Sequence, residues 1–296
     1  MTFGIENYPE VVSVVNLKGG VGKTTLCVNL AYGLAYFLNK RVLLIDLDPQ
    51  ANATQYLISE GTYRKIYLSG GASKKTILEV YDEFNIANRK TEISPIKDSD
   101  KFIQRIFKGS HGYLDLLASK LELSLLAFSS QTLPQYDQVR WFIQSVGHNY
   151  DIVLIDCPPT VSSMLLSGFE AAHSVLVPMK PDFLSTIGLP LLHTVMTKMY
   201  TKYVNRAEWM NEISMLGLVY TMVDKRLTMT RESKRDVRRE AKKFGYNVFD
   251  NYMSYSTKFT WSSKLTLPIF RTQPSSRYAT EIENLVNEFQ DKVKEL

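Results

Sequence analysis

The sequence predicts an α/β protein whose doubly wound, mostly parallel β-sheet is flanked by helices on both faces. A β-branched run at 11–16 leads into a glycine-rich loop and then into an apolar helical segment at 24–38. Two continuous apolar runs, at 42–45 and 152–155, suit central parallel strands that are buried on both faces. Each run ends in an aspartate, so polar side chains are expected at the carboxyl edge of the sheet, where open α/β sheets bind ligands.

The composition is that of an ordinary globular protein. The 296 residues are 45% hydrophobic and 22% charged, with a net charge of +5. We expect a single domain over residues 1–296, with an insertion at 60–111. Cys27 and Cys157 are too few and too scattered for a disulfide framework or a zinc site, and buried thiols are expected. No secretory leader and no membrane-length apolar run is present, which predicts a reduced, cytoplasmic protein.

The glycine-rich loop is the strongest signal in the chain. It consists of Lys18, Gly19, Gly20, Val21, Gly22, Lys23, Thr24 and Thr25. Strand, glycine loop and helix together are the context of a phosphate-binding loop, although Leu17 replaces the usual first glycine. Glycines let backbone N–H groups turn toward phosphate oxygens, and the helix N-terminus adds partial positive charge. We expect Lys23 to reach the β- and γ-phosphates, Thr24 to ligate Mg²⁺ and Thr25 to steady the α-phosphate.

This loop resembles the deviant Walker A motif of the ParA/MinD family of ATPases, and it is most similar to the short, Soj-like members. Lys18 is the additional lysine that marks that family. The resemblance implies a Rossmann-like P-loop NTPase fold with ATP and Mg²⁺ as cofactors. It also implies that two protomers close face to face over two nucleotides, with Lys18 of each reaching the other's phosphates as an arginine finger does.

Two aspartates follow the strand at 42–45. Alternation along the chain places Asp46 and Asp48 on the same side, beside the phosphate-binding loop. The stretch is similar to the family's second motif, in which the latter aspartate positions the attacking water. The resemblance therefore implies that role for Asp48 and an outer-shell Mg²⁺ role for Asp46.

A third carboxylate stands at the end of the strand at 152–155. Asp156 is followed by Cys157 and a pair of prolines that stops the strand. A carboxylate at a strand end is the Walker B arrangement, which holds Mg²⁺ through a water molecule. We therefore assign Asp156 to the metal together with Thr24 and Asp46.

The middle of the chain gives weaker secondary-structure signals. Within the segment at 60–111, charged residues, serines and glycines are mixed, and we expect a helix near 75–84, a loop at 87–100 and a turn at Gly70-Gly71. Contact with a partner is the hypothesis for this insertion. The other predicted elements are strands at 113–118, 174–178, 213–222 and 248–252 and helices at 121–128, 136–146 and 183–203.

The adenine contacts are inferred from the resemblance alone. In the family, the end of the strand predicted here at 213–222 lies against the base, which makes Met222 and Asp224 candidate contacts. Residues 255–261 precede the apolar stretch 267–270 with a spacing similar to that of the family's loop that closes the nucleotide pocket.

A strongly basic segment extends from Lys225 to Lys243. It contains nine basic and three acidic residues, so its charge of +6 exceeds that of the whole chain. Helical spacing places one set of basic residues on a single face: Arg231, Lys234, Arg235, Arg238 and Lys242. A solvated helix face is one interpretation, and nonspecific, backbone-directed DNA binding is the other. The resemblance favours DNA, because ParA ATPases bind DNA through basic residues in their C-terminal part.

The chain ends in an amphipathic helix at 278–296. Its apolar stripe consists of Ile282, Leu285, Val286, Phe289 and Val293. Helices of this kind bind membranes in MinD-like relatives, but from residue 281 onward this one carries a net charge of −3. Anionic lipid would repel it, so packing onto the domain is expected and membrane binding is not.

The combined expectation is a weakly active ATPase that hydrolyses ATP to ADP and phosphate. It would dimerise on ATP, bind nonspecific DNA on the nucleoid and segregate a plasmid or chromosome with a ParB-like centromere-binding protein that stimulates hydrolysis. The alternatives are a MinD-like membrane-associated positioning ATPase, ParA-like positioning of a non-DNA cargo, a metabolic P-loop enzyme and a metal-cluster carrier.

Overall fold

A computed structural model describes residues 8–68, 74–83, 101–128, 136–203, 213–224, 226 and 228–296. Side chains at 127–128, 183–187, 199–203 and 228–231 are not described. The loop predicted at 87–100 and the turn at Gly70-Gly71 therefore lie outside the described residues, as do Lys225 and the side chain of Arg231.

The sheet has the predicted doubly wound arrangement. In the described part of the chain its strands are β1 Glu10–Val14, β2 Arg41–Asp46, β3 Ile103–Lys108, β4 Tyr113–Leu117, β5 Ile152–Asp156, β6 Ser174–Met179 and β7 Ser214–Tyr220. Their order across the sheet is β3-β4-β2-β5-β1-β6-β7. All neighbours are parallel except β3 and β4, which are antiparallel. The fold class predicted from the sequence is confirmed.

Helices cover both faces of the sheet. They are α1 Lys23–Phe37, α2 Asn52–Leu57, α3 Glu60–Tyr63, α4 Ile77–Glu83, α5 Gln138–Val146, α6 Ser163–Ala171, α7 Phe183–Tyr203, α8 Thr228–Lys243, α9 Thr257–Lys264, α10 Ile269–Thr272 and α11 Arg277–Lys294. A π-helical turn spans Arg64–Leu68, and 3₁₀ segments span Leu121–Phe128 and Gly147–Asn149. The helix predicted near 75–84 is confirmed as α4.

Two strand predictions need correction. The edge strand β3 is not predicted by the sequence pattern, because its residues IQRIFK mix polar and apolar side chains and only one neighbour pairs with it. The strand predicted at 248–252 is wrong. There the chain forms isolated parallel bridges, Leu218 with Val248 and Val223 with Ser254, which extend β7 without making a further strand.

The sheet separates two hydrophobic cores. Along β1, Val11 belongs to the core that includes α4, α5, α6, α7 and α8, and its neighbour Val12 to the core that includes α1, α2, α9, α10 and α11. This alternation follows from the period of two in strand side chains. Cys27 and Cys157 are both buried free thiols, as expected.

The C-terminal helix packs on the domain, as predicted. The four apolar residues Ile282, Leu285, Val286 and Phe289 of α11 are fully buried. The helix approaches α1 so closely that a Cβ atom at Gly33 would lie 2.5 Å from Val286. Within the described residues, no helix is both long and apolar enough to span a bilayer.

Glu10, at the start of β1, is a partly buried carboxyl group. Its side chain is 28% exposed, and its Oε2 lies 3.5 Å from Nδ1 of His173. That nitrogen accepts the backbone N–H of Val11 at 3.1 Å, so it carries no proton with which to pair the carboxylate. Burial raises the pKa of Glu10 from 4.5 to about 7.

This shift makes stability depend on pH. The folded chain retains a proton that the unfolded chain releases, so the contribution is fully present below pH 4.5 and is lost as pH rises through about 7. We predict that Glu10→Gln stabilises the protein relative to wild type at pH 8 by about 1–3 kcal/mol more than at pH 5. Urea unfolding at both pH values measures this difference. Glu283→Gln, at an exposed position of α11, is the control, and equal pH profiles for wild type and Glu10→Gln would contradict the prediction.

Candidate functional site

A cavity of about 710 Å³ opens at the carboxyl ends of the strands. Its lining includes the glycine-rich loop at 19–25, Asp48 after β2, Met222 after β7, and residues of the segment that leads into α9. The sequence motifs therefore converge on one site, because the carboxyl ends of parallel strands share one edge of a sheet.

The glycine-rich loop presents its backbone to the cavity. Gly20 and Gly22 have φ angles of 71° and 79°, a region that favours glycine. Beside Gly19 and Gly20 no atom lies within 4 Å of where a Cβ would stand, so space remains for a ligand close to the backbone. The helix α1 begins at Lys23, which is 7% exposed and lines the cavity. This geometry is a cradle for phosphate groups.

Two buried residues, Thr221 and Met253, support the phosphate-binding loop. The fully buried Thr221 hydroxyl donates a hydrogen bond to the carbonyl oxygen of Val21. A Cβ at Gly22 would lie 3.1 Å from the Met253 methyl group, so Met253 packs directly on the loop. Sequence reasoning did not identify Thr221 as a site residue, since only the fold brings it to a loop 200 residues away.

Asp46 and Asp156 lie side by side at the ends of β2 and β5, and both are fully buried. Asp46 accepts hydrogen bonds from the Thr54 N–H and hydroxyl, each at 2.8 Å, and from the Asp48 N–H at 3.1 Å. Asp156 accepts the Thr24 hydroxyl at 2.7 Å through Oδ2, whereas its buried Oδ1 has no hydrogen bond.

The two aspartates differ in hydrogen bonding and in the causes of their pKa shifts. Burial and then the neighbouring Asp156 raise the pKa of Asp46, and burial raises the pKa of Asp156 against the opposing effect of Lys23. Both oxygens of Asp46 serve the protein, so the structure gives it a structural role and its outer-shell metal role stays a prediction. The unsatisfied Oδ1 of Asp156, beside the Thr24 hydroxyl, fits a hard cation.

Mg²⁺ is the metal that this arrangement fits. It is usually bound by one or two protein oxygens together with substrate phosphates and water, not by an all-protein cage. Among the described residues no cluster of three or more His, Cys, Asp or Glu could hold a metal by itself. When bound with a nucleotide, the ion would neutralise phosphate charge, and Thr24 and Asp156 would hold it.

Asp48 lies at the cavity wall with 5% of its surface exposed. Its Oδ1 accepts the Gln50 N–H at 2.9 Å, which fixes the orientation of the carboxylate. An oriented carboxylate facing a phosphate site can accept a hydrogen bond from an attacking water. The position fits the predicted role of Asp48.

Lys18 does not line the cavity. Its backbone N–H donates to Asn16 at 2.8 Å, and its ammonium lies 2.9 Å from Oδ2 of Asp182, in the loop after β6. The structure thus separates Lys18 from Lys23, which points into the site.

Another part of the cavity wall adjoins the phosphate loop and comes from residues after β7 and from the C-terminal part of the chain. Met222 lines it, with a φ angle of 52°. Asp224 lies outside the lining and forms an ion pair with Arg226 at 2.6 Å, which lowers the pKa of Asp224. The structure therefore does not bring Asp224 to the cavity. Most of this wall is instead the stretch 253–257 with α9, in agreement with the loop predicted at 255–261.

The basic side chains of α8 differ in their surroundings. Arg235, Arg238 and Lys242 are exposed as predicted, but the ammonium of Lys234 lies 3.9 Å from the centre of the Tyr252 ring. Val237 and Ala241 are fully buried and mark the face that packs on the domain. Arg239 and Lys243, which the predicted face does not include, are exposed.

Fold and cavity together define a P-loop nucleotide-binding protein. The family model described as an AAA domain matches residues 9–208, and the chain belongs to this family. The sporulation initiation inhibitor protein Soj of Bacillus subtilis is 28% identical over 282 residues, which cover 94% of this chain and 97% of that protein. The prediction of a ParA/MinD-family ATPase is confirmed.

Solved structures share the fold. A putative plasmid partition protein from Borrelia burgdorferi, bound to AMPPNP, has a TM-score of 0.68 and 23% identity, with coverage of 96% of this chain and 99% of that chain. Cobyrinic acid a,c-diamide synthase from Mycobacterium smegmatis, with a bound ATP analogue and magnesium, has a TM-score of 0.68 and 21% identity, with coverage of 94% and 93%. The chain is a P-loop ATPase, and ATP with Mg²⁺ is the cofactor pair that its cavity fits.

We predict that Asp156→Asn weakens Mg²⁺-dependent ATP binding by about 10–100-fold, because it removes the charged oxygen that faces the metal. ATP affinity in EDTA should not fall, since the change also removes a negative charge near the phosphates. Titration of a fluorescent ATP analogue with and without Mg²⁺ measures both affinities. Asp151→Asn, at the opposite end of β5, is the control; an equal loss in both conditions would indicate a general defect in folding.

Proposed function

We propose that this chain is a ParA-type ATPase that dimerises on ATP, binds DNA nonspecifically and segregates a plasmid or chromosome. A ParB-like centromere-binding protein would stimulate its weak intrinsic hydrolysis, and the protein would be cytoplasmic and nucleoid-associated. The observation that carries the proposal is the position of Lys18. This lysine lies in the phosphate-binding loop, yet its ammonium is held by Asp182 outside its own cavity.

Because the Lys18 ammonium lies outside its own cavity, it can act at the nucleotide site of a second protomer. The paired side chains of Lys18 and Asp182 are 37% and 29% exposed, so solvent and a second protomer can compete for them. In a face-to-face dimer, Lys18 would leave Asp182 and neutralise charge on the partner's phosphates. A monomer lacks this cation at its own site, which explains the weak intrinsic hydrolysis that we propose.

We predict that Lys18→Ala binds ATP but does not dimerise on it, because the variant lacks the charge that crosses between protomers. Sedimentation with ATP·Mg²⁺, ADP and no nucleotide measures the oligomeric state. Asp182→Asn is the matched variant: it releases Lys18 from its ion pair and should dimerise at the same or a lower ATP concentration. A Lys18→Ala protein that still dimerised on ATP would rule out this role for Lys18.

The exposed face of α8 is the proposed DNA surface. Three of its basic residues have acidic neighbours: Arg238 with Asp250 at 3.2 Å, Arg239 with Asp236 at 3.0 Å and Lys243 with Glu240 at 2.7 Å. Among the described residues, Arg235 and Lys242 have no ion-pair partner and are exposed. Surface pairs of this kind contribute little stability, so all five side chains can turn to phosphates.

The end of β7 connects the cavity to α8. The Tyr220 hydroxyl donates to the backbone carbonyl of Lys234 at 2.7 Å, and the next residue, Thr221, donates to the phosphate loop. Two consecutive residues thus contact α8 and the phosphate-binding loop. A displacement of the loop on ATP binding would reach α8 directly, which supports an ATP-dependent change in DNA affinity.

We predict that the double variant Arg235→Ala/Lys242→Ala weakens binding to nonspecific duplex DNA. The slope of log K against log salt should become shallower by about 0.9 for each phosphate that the variant no longer neutralises. Fluorescence anisotropy across a salt series, with ATP, ADP and no nucleotide, measures the slope. Lys294→Ala, which removes a basic residue of α11 paired with Asp291 at 3.5 Å, is the control. An unchanged slope in the double variant would place the DNA surface elsewhere.

The MinD-like alternative receives no support from α11. Its apolar residues are buried in the core that includes α1, so they are not available to a bilayer in this conformation. Positioning of a non-DNA cargo by the same ATPase cycle is compatible with the nucleotide site, and the DNA-binding measurement separates it from segregation.

A further inference from the structure

A carboxylate of the C-terminal helix reaches the wall of the nucleotide cavity through one buried serine. Ser254 lines the cavity and is 1% exposed. Its backbone N–H donates to Oε2 of Glu281 at 3.0 Å, and its hydroxyl donates to Oε1 of the same carboxylate at 2.8 Å. Glu281 does not itself line the cavity, so it contacts the site only through Ser254.

The opposite edge of the same stretch is bound to the end of β7. Met253 N–H donates to the Tyr220 carbonyl at 2.9 Å, Val223 N–H to the Met253 carbonyl at 3.1 Å, and Tyr255 N–H to the Val223 carbonyl at 3.0 Å. Because successive N–H groups of an extended chain point to opposite sides, the N–H of Ser254 faces α11 instead. Glu281 therefore satisfies the one N–H between Met253 and Tyr255 that β7 cannot reach.

The wall of the cavity continues from this point. The Ser256 hydroxyl accepts the Lys258 N–H and caps α9, and that helix supplies Thr257, Thr260 and Ser263 to the lining. Removal of the Glu281 carboxylate would leave the Ser254 N–H and hydroxyl without this acceptor and would loosen the wall at Ser254, just before α9, on the side that β7 does not hold. The phosphate loop has two supports that do not involve Glu281. Thr221 donates a hydrogen bond to Val21, and Met253, which packs on Gly22, is bound through its own N–H to the Tyr220 carbonyl.

We infer that Glu281 is a positioning residue for nucleotide binding, which holds the part of the cavity wall formed by Ser254 and the start of α9 and makes no hydrogen bond to the phosphate loop. The part of the affinity that comes from adenosine depends on Glu281, and the part that comes from the triphosphate does not. The inference rests on ATP binding at this cavity and is independent of the proposed dimer and of DNA.

The test compares ATP with inorganic tripolyphosphate, each with Mg²⁺, by calorimetric titration of the full chain. Loss of a hydrogen-bonded charged group is expected to weaken ATP binding by about tenfold in Glu281→Ala and to leave tripolyphosphate binding within about twofold of wild type. Glu281→Gln should restore ATP binding, because its amide can accept the Ser254 N–H and donate to the Ser254 hydroxyl.

Glu288 provides a matched control on the same helix. Its carboxylate accepts the backbone N–H groups of Asp250 and Asn251 at 2.7 and 2.8 Å and the Asn251 side-chain amide at 2.9 Å, and neither residue lines the cavity. Glu288→Ala removes these three hydrogen bonds and should leave both affinities unchanged. A purely structural role for Glu281 would instead lower ATP and tripolyphosphate binding together, or neither.

Equal losses for the two ligands, or no loss of ATP affinity in Glu281→Ala, would overturn the inference. If Glu281→Ala did not fold, Ser254→Ala would replace it: this variant retains the carboxylate, removes the hydroxyl donor and should weaken ATP binding selectively. Wild-type protein that bound no ATP would instead refute the proposed function, so the two failures are distinguishable.

Discussion

The pairing of β2 with β5 brings two carboxyl groups, Asp46 and Asp156, next to each other in the interior of the protein. Adjacent buried carboxylates are unfavourable unless protons, hydrogen bonds or cations compensate them. At Asp46 the compensation is a network: Thr54 donates twice to the carboxylate, and the Thr54 hydroxyl accepts the backbone N–H of Ser119 after β4. One carboxylate thus joins β2, α2 and the end of β4.

At Asp156 the compensation is incomplete, and this gives the site its function. Thr24 satisfies one oxygen, and Lys23 only partly offsets the rise in the pKa of Asp156 that burial causes, but the second oxygen is buried without a hydrogen bond. A buried acceptor without a hydrogen bond is costly, so a cation that arrives with a nucleotide has a prepared position. The same strand pair therefore supplies one carboxylate that is fully hydrogen-bonded within the protein and one with an oxygen that a cation would fit, while Asp48, two residues beyond Asp46, lines the cavity.

Local patterns predicted the site well, and longer-range packing explains the errors. The glycine loop and the strand-terminal aspartates act through backbone geometry and strand ends, which a short stretch specifies. The DNA contact predicted for Lys234 stays a prediction, because helical spacing groups residues but does not say which face is buried. Val237 and Ala241, the apolar residues of the basic segment, mark the buried face and indicate that Lys234 lies at its margin. The Thr221–Val21 contact joins residues 200 positions apart and has no local pattern.

The acidic C-terminal helix likewise shows that a net charge does not reveal what each charged side chain contacts. The structure confirms the predicted packing of this helix onto the domain, but its net charge said nothing about individual carboxylates. Glu281 and Glu288 both accept backbone N–H groups from the stretch at 250–254, which passes from the end of the sheet to the cavity wall. These N–H groups lie beyond the last strand and would otherwise lack hydrogen-bond acceptors. The carboxylates of α11 supply those acceptors. Through Glu281, which binds the lining residue Ser254, the C-terminal helix is part of the support of the nucleotide site, although none of its residues lines the cavity.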